Sequence, residues 1–287
     1  AYGWNAQYSN TTGTRNVAIG NDSLYTNTTG GGNIAIGHDT LYSNATGIRN
    51  VAIGEEALKV STTSYNIAVG YRALYSNTTG PKCTAVGYAA LETNTTGNLN
   101  VAIGYAALNK NTTGGGNAAT GNEALENNTT GAHLVASGYK ALELNTTGNY
   151  NVAIGSHSLL YNTTGDENVA IGYQALYNST ASKNTALGYQ AGDVITTGQN
   201  NICIGHNADA SSATASNEIT LGDSGITTFR IPGIGVTFGE GGADISGIVT
   251  AVSFSGSGAN LTGLGAPARV VPAHLVCADR SSTVSVR

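Results

Sequence analysis

Asn100-Val101-Ala102-Ile103-Gly104-Tyr105-Ala106-Ala107-Leu108-Asn109-Lys110-Asn111-Thr112-Thr113-Gly114-Gly115-Gly116 decides the fold, because these seventeen residues recur with few changes along most of the chain. The glycine of Val-Ala-Ile-Gly returns from Gly3 to Gly222 in thirteen steps, eleven of 17 residues and two of 16. Slots below are counted from that glycine, so Ile103 is slot −1 and Leu108 slot +4. The short steps are Gly54 to Gly70 and Gly172 to Gly188, and in both the Gly ten places after the anchor is replaced, by Ser64 and Ser182. A Gly there supplies positive φ for a wider turn, and its loss predicts a turn one residue shorter.

Seventeen residues is too short for a two-helix repeat. The apolar run is β-branched, as in Val152/Ile154 and Val169/Ile171, and suits a pleated strand. Asn, Thr and Gly interrupt each unit with turn chemistry. The repeat therefore predicts an all-β, parallel β-solenoid (β-roll) of about 13 coils, each with two short strands and two turns. At about 4.8 Å per coil the rod would run roughly 60 Å. Alternation puts Val17 and Ile19 on one strand face and Ala18 on the other. The middle slot is Ala in eleven coils and otherwise Cys203 or Thr220, so both faces are apolar and both predict burial. The reading places Val and Ile against the Leu column of the same coil (Leu24 to Leu176), and the Ala face against another chain in a parallel homotrimer or similar bundle. A monomer with Ala as a tight inner wall is the alternative.

The predicted organisation is a repeat shaft over 1–222, a small Gly-rich β module over 223–265 and an irregular tail over 266–287. Gly3 is already an anchor and no polar cap precedes it, which suggests a segment of a longer fibre.

Charge and composition remove several function classes. Lys+Arg total 12 against 17 Asp+Glu, a net charge of −5, with only 10% charged residues; that gives no electrostatic footprint for nucleic acid. No run of 18 apolar residues offers a helical membrane span, and no charged n-region with an apolar h-region opens the sequence. The three Cys cannot all pair, and they read as small core residues.

The Asn-Val-Ala-Ile-Gly unit resembles the head repeat of trimeric autotransporter adhesins, a left-handed parallel β-roll that trimerises. The longer unit with Tyr-x-Ala-Leu-Tyr-x-Asn-Thr-Thr-Gly is similar to repeats of bacteriophage tail fibres and related virion appendages. Asn217–Gly222 running into Thr227–Gly233 resembles what closes such arrays, and Gly247–Gly256 with Ala259–Gly263 resembles phage structural proteins. Together these cover about residues 1–263. The resemblance implies a fibre segment on the virion surface, extracellular, that serves host attachment and has itself, other virion or fibre proteins and a host-surface glycan or receptor as partners. A bacterial surface adhesin or fibril is the alternative reading, and an ice-binding solenoid a second one. Such families often end in a self-cleaving chaperone domain, which no segment matches, so a mature or truncated form, or a member that lacks the domain, is expected.

No catalytic, metal or cofactor site is predicted, and the chain reads as a non-enzyme. His38 and His206 share slot +1 but lie ten coils apart, roughly 48 Å at this rise, and no His, Cys and carboxylate group is expected to meet. Gly30-Gly31-Gly32 lacks the Lys-Ser/Thr of a phosphate loop. The Asn column Asn10, Asn27, Asn44, Asn77, Asn94, Asn111, Asn128, Asn145 and Asn162 predicts an amide ladder between coils, with the adjacent Thr hydroxyls tying the turn. The same triplets are glycosylation sequons. Aromatic residues recur at slot +1, as Trp4, Tyr71, Tyr88, Tyr105, Tyr139, Tyr173 and Tyr189, and at slot +5, as Tyr8, Tyr25, Tyr42, Tyr75 and Tyr177. Their structural role is rings stacked along the core edge; their functional role would be a glycan-contact stripe.

Overall fold

A computed structural model describes residues 1–231, 236–239, 242–245, 277–279 and 282–284. It is all-β, with no helix among the described residues. Thirteen three-residue strands, β1 (Val17–Ile19) through β13 (Ile219–Leu221), form one parallel sheet in strict sequence order. The register never slips: Val101, Ala102 and Ile103 lie opposite Ala118, Ala119 and Thr120, one repeat on. Across a short step the anchors still align, with Val51, Ala52 and Ile53 opposite Ile67, Ala68 and Val69. This is the β-solenoid expected from the repeat.

The direction of the strand faces is the reverse of the expectation. Ala18 is 1% exposed and Ile19 43%, and this alternation repeats in β1–β12. The Ala and Leu columns are the core, both at essentially zero exposure, while the Val and Ile columns face outward. The reason is the bore of the coil. The interior of a coil already holds one Leu, a second Ala at slot +3 and two asparagines (Leu108, Ala107, Asn100 and Asn111, all buried), so an Ala fits in the strand slot where two β-branched chains would overfill it.

A second strand per coil is also absent. After each anchor the backbone alternates in hand, with slots +2 and +4 at positive φ (Glu123 58°, Leu125 55°) and slot +12 likewise (His133 58°). This ribbon bonds to both neighbours: the Leu41 amide donates forward to Ala57 O (3.1 Å) and the Asp39 amide back to Asn21 O (3.0 Å). Left-handed φ costs an L-residue about 1–2 kcal/mol and is worst for β-branched side chains. Accordingly no Val, Ile or Thr occupies any of these three slots between Gly3 and Gly222.

The short coils have a different cause from the one expected. The slot +10 glycines do not have positive φ; an added Cβ at Gly97 would overlap the Gly114 carbonyl and the Asn94 side chain. In the short coils Thr63 and Ala181 take the glycine's place in the stack, over Gly47 and Gly165. Ser64 and Ser182 fall one slot later, where their hydroxyls accept the Ile48 and Asp166 amides at 3.0 and 2.9 Å. The residue lost is the second, exposed Thr of the turn.

The chain divides into two units, Ala1–Gly225 and Ile226–Arg287. In the second, β14 (Thr228–Ile231) pairs antiparallel with β15 (Val236–Gly239), which pairs with β16 (Gly242–Ile245). Within the segment read as an irregular tail, β17 (Cys277–Asp279) pairs antiparallel with β18 (Ser282–Val284). Apart from residues 223–231 and these strands, the 223–265 module and the 266–287 tail, including the Gly247–Gly263 segment, lie outside the described residues.

Candidate functional site

Stacking converts each sequence column into a row of like side chains, and three rows carry polar or aromatic chemistry. The first is the slot +7 asparagines. Nδ2 of Asn94, Asn111, Asn128 and Asn145 donates to Oδ1 of the preceding Asn at 2.8–2.9 Å. Asn27 to Asn10 (2.9 Å), Asn44 to Asn27 (3.3 Å) and Asn162 to Asn145 (3.1 Å) continue the row. Each amide also donates to the carbonyl of its own turn glycine, as Asn77 does to Gly80 O at 2.7 Å. Asn27 through Asn162 are fully buried and Asn10 half-buried, so the folded chain offers eight of these nine sequons no accessible amide. Ser61 interrupts the row and leaves Asn44 Oδ1 buried without a partner; Ser179 Oγ is likewise unpartnered. The Thr that follows bonds to the next coil, Thr112 Oγ1 to Thr129 O at 3.0 Å.

A second buried asparagine row, at slot −4, went unread in the sequence. Oδ1 of Asn100 accepts the Asn117 amide (3.0 Å) and its Nδ2 donates to Gly114 O (2.8 Å). Asn16, Asn33, Asn50, Asn151, Asn168, Asn184 and Asn201 make the same pair of contacts. Its sequence signal was the recurrence of Asn immediately before ten of the thirteen strands. Where Cys83 replaces it, the thiol contacts Gly97 O at 3.4 Å. Cys83 and Cys203 are both buried and free. Burial, then the nearby Asp209 carboxylate, pushes the Cys203 thiol up to about 11.

The third set is aromatic. Tyr71, Tyr88 and Tyr105 stack at 5.1 and 5.3 Å between ring centroids, within 20° of parallel. Tyr173, Tyr189 and His206 do the same at 5.3 and 5.2 Å. Tyr139 has Asn122 and Ser156 in the adjoining slots and meets His157 edge-on at 5.2 Å. Trp4 is exposed, and its amide bonds Asn21 Oδ1 at 3.3 Å. The slot +1 tyrosines all lie about half exposed. Slot +5 adds a stack of Tyr8, Tyr25 and Tyr42 at 5.3 and 5.0 Å, and slot +12 stacks His133 on Tyr150 at 5.2 Å.

Charged side chains cross coils beside these rows. Lys59 sits between Asp39 (2.8 Å) and Glu56 (2.7 Å), and Arg72 between Glu56 (3.3 Å) and Glu92 (2.6 Å), with its guanidinium 4.2 Å from the Tyr75 ring centroid. The hydrogen bonds to Asp39, then Glu56, hold the Lys59 ammonium well above its ordinary range. Contrary to the sequence reading, ligand-type groups do meet: Asp22, His38 and Asp39 in one place, Glu123, Glu126 and Glu143 in another. Slots +1, +2 and +5 of adjoining coils lie over one another, which spacing along the chain conceals. Both groups already have polar partners. Asp22 accepts Asn5 Nδ2 (3.0 Å), Asp39 pairs with Lys59, and Lys140 bridges Glu123 (2.9 Å) and Glu143 (3.2 Å).

No family model matches this chain, and no curated protein or solved structure matches it.

Proposed function

We propose that this chain is a structural segment of a phage virion fibre, displayed on the virion surface, that serves host-cell attachment. The observation that carries the reading is the unbroken register of thirteen parallel strands, a repeat-built scaffold of the kind the Asn-Val-Ala-Ile-Gly resemblance implies. Solenoid stability is a sum of coil and neighbour terms, so such a segment extends by adding coils without redesign. In this reading the working unit is a homotrimer, bundled through the outward Val and Ile columns and not through the buried Ala face. The half-exposed slot +1 tyrosines, flanked by the more covered slot +5 row, are the surface on which a host glycan would lie, sugar faces against ring faces and edges. No side chain is assigned a catalytic role.

Immuno-electron microscopy tests the location. Antibodies raised against the purified chain should decorate appendages of phage particles. Labelling confined to bacterial envelopes would favour the second reading, a cell-surface adhesin, for which the repeat it shares with adhesin heads argues. Glycan-array binding that falls when Tyr88 and Tyr105 are both changed to Ala would support the contact surface.

A further inference from the structure

We infer that a notch on the second coil, left by Gly31 and Gly32 between Arg15 and Arg49, binds the carboxylate of an acidic sugar, so that the glycan this segment contacts is a uronic acid polymer. The site adds a sugar class to the host-glycan reading above, on which its biological role rests, and it lies outside the tyrosine rows.

Two independent observations point to an anion there. The first is charge. Eight Lys and Arg residues lie between Gly3 and Gly222. Lys59, Arg72, Lys110 and Lys140 pair with carboxylates at 2.6 to 4.0 Å. Arg15, Arg49, Lys82 and Lys183 have no carboxylate partner among the described residues. All four are exposed and stand in the slot +12 row, which the short coils carry one place earlier. From Thr11 to Lys82 the turn slots +8 to +12 hold no Asp or Glu. The field at this edge is therefore positive although the whole chain carries −5.

The second observation is an open backbone donor. The slot +11 amide of each coil points to slot +11 of the next, and a Ser, Asn or Asp oxygen there accepts it. Ile48 N donates to Ser64 Oγ (3.0 Å), Ala132 N to Asn149 Oδ1 (3.0 Å), Asp166 N to Ser182 Oγ (2.9 Å) and Gln199 N to Ser216 Oγ (3.0 Å). Thr14 N meets Gly31 instead and has no acceptor among the described residues. A Cβ on Gly31 would lie 3.8 Å from it, so the acceptor's position is open. Gly32 extends the bare shelf into slot +12, and the Arg49 stem borders it, with Cγ 3.6 Å from where a Gly32 Cβ would stand. Arg49 Nη1 in turn donates to Tyr65 Oη at 3.4 Å.

A carboxylate suits this arrangement. One oxygen takes the Thr14 N–H, in the place a serine oxygen fills elsewhere. The planar group then meets the guanidinium forks of Arg15 and Arg49, from the coils on either side. A polymer gains more than a free anion, because Lys82 continues the row two coils beyond Arg49. Cations thus recur at about 9.6 Å along the rod, and linked carboxylates engage them together. Gly115 and Gly116 repeat the shelf on the seventh coil, but Leu99 and His133 flank it, so the cationic notch belongs to the second coil.

The test is calorimetric titration of the full chain with a galacturonic acid oligomer at about 0.15 M salt, where exposed charges are screened beyond about 8 Å. The oligomer should bind and its methyl ester, which keeps the sugars and loses the charges, should not. Arg15→Ala and Arg49→Ala should each weaken binding about tenfold, the loss of a charge-assisted hydrogen bond. Gly31→Ser should do the same without lowering thermal stability, since serine stands in that slot in other coils and its hydroxyl would occupy the Thr14 amide. Lys183→Ala, far from the notch, should change binding less than threefold. An equal loss in Lys183→Ala, or none in Gly31→Ser, would overturn the notch. Tighter binding of a sulfated oligomer of the same length would overturn the carboxylate assignment. A wild-type chain that ignores the oligomer, with an assembly that dissociates in Arg15→Ala, would give these cations to a neighbouring copy and overturn the inference, leaving tyrosine-dependent glycan binding untouched. Uronate binding by a chain found only on bacterial envelopes would overturn the virion reading alone.

Discussion

Gly104 shows how tightly single residues are constrained. Its φ is +138°, and a Cβ there would overlap the Gly121 carbonyl of the next coil. Gly104→Ala should therefore cost about 3 kcal/mol or more, the strain of a forbidden φ plus displacement of a neighbouring backbone. Loss of thermal stability relative to Asn109→Ala, in a variable slot, checks this. Adjacent strand residues should respond oppositely to charge. Ala102 is fully buried and Ile103 faces out. Ala102→Arg buries an unpaired cation inside the coil at a cost of several kcal/mol and should abolish the folded β signal in circular dichroism. Ile103→Arg should leave that signal intact while lowering the sedimentation coefficient of the proposed homotrimer. If Ile103→Arg proved the more damaging to folding, the assignment of the inner face would fail.

At the scale of the coil, the last turns differ from those before them. Gly192 and Asp209 take the Leu slot, so the Leu column ends at Leu176. Asp209 keeps one carboxylate oxygen buried without a side-chain partner. Burial, and then the Asp193 charge, push its carboxyl up, while the amides of Val194, Asp193 and Gly192 oppose that; burial also raises Asp193. A carboxyl raised on folding contributes stability that is complete below its unfolded value, near 4, and is lost as pH rises through the folded value. The hydrogen bonds from Ser211 lower Glu218, whose contribution runs the other way and is lost only as pH falls through its lowered value. Acidification from neutral to just above pH 4 should thus firm the last coils, by less than about 1 kcal/mol since the groups are partly solvated. Slower amide exchange around residues 192–210 at the lower pH, with a smaller pH effect in Asp209→Asn, is the expected result.

Along the whole repeat unit, stability should be local and not all-or-none, because each coil touches only its neighbours. Around Gly121 and Gly138, Ala118, Thr120 and Ser137 replace the larger apolar residues of most other strands. Those side chains face outward, so the core is complete there, with Leu125 and Leu142 in place. The weak points are the break in the slot +7 asparagine row at Ser61 and its end at Ser179, where Asn44 Oδ1 and Ser179 Oγ lack partners, as does Nδ2 of the nearby slot −4 Asn66. A buried polar group left unpaired costs about 1–3 kcal/mol. Amide exchange should be faster near residues 58–66 and 176–184 than at 100–114. Equal protection in all three segments would show that the breaks are compensated.

The sequence by itself determined the parallel solenoid, its coil boundaries and its register. A period of 17 excludes helical repeats, and an invariant glycine allows only one stacking alignment. It also held the slot +7 amide row, because identical residues one coil apart must lie over one another. It did not determine which strand face is inside. Val-Ala-Ile is apolar on both faces, so alternation carries no direction, and only the bore of the closed coil selects Ala and Leu for the interior. The left-handed ribbon opposite the strand was recorded only as an absence, the lack of β-branched residues in slots +2, +4 and +12. The meeting of Lys59 with Asp39 and of Arg72 with Glu92 needed the tertiary structure, because those contacts join variable slots in different coils, where no column in the sequence marks them.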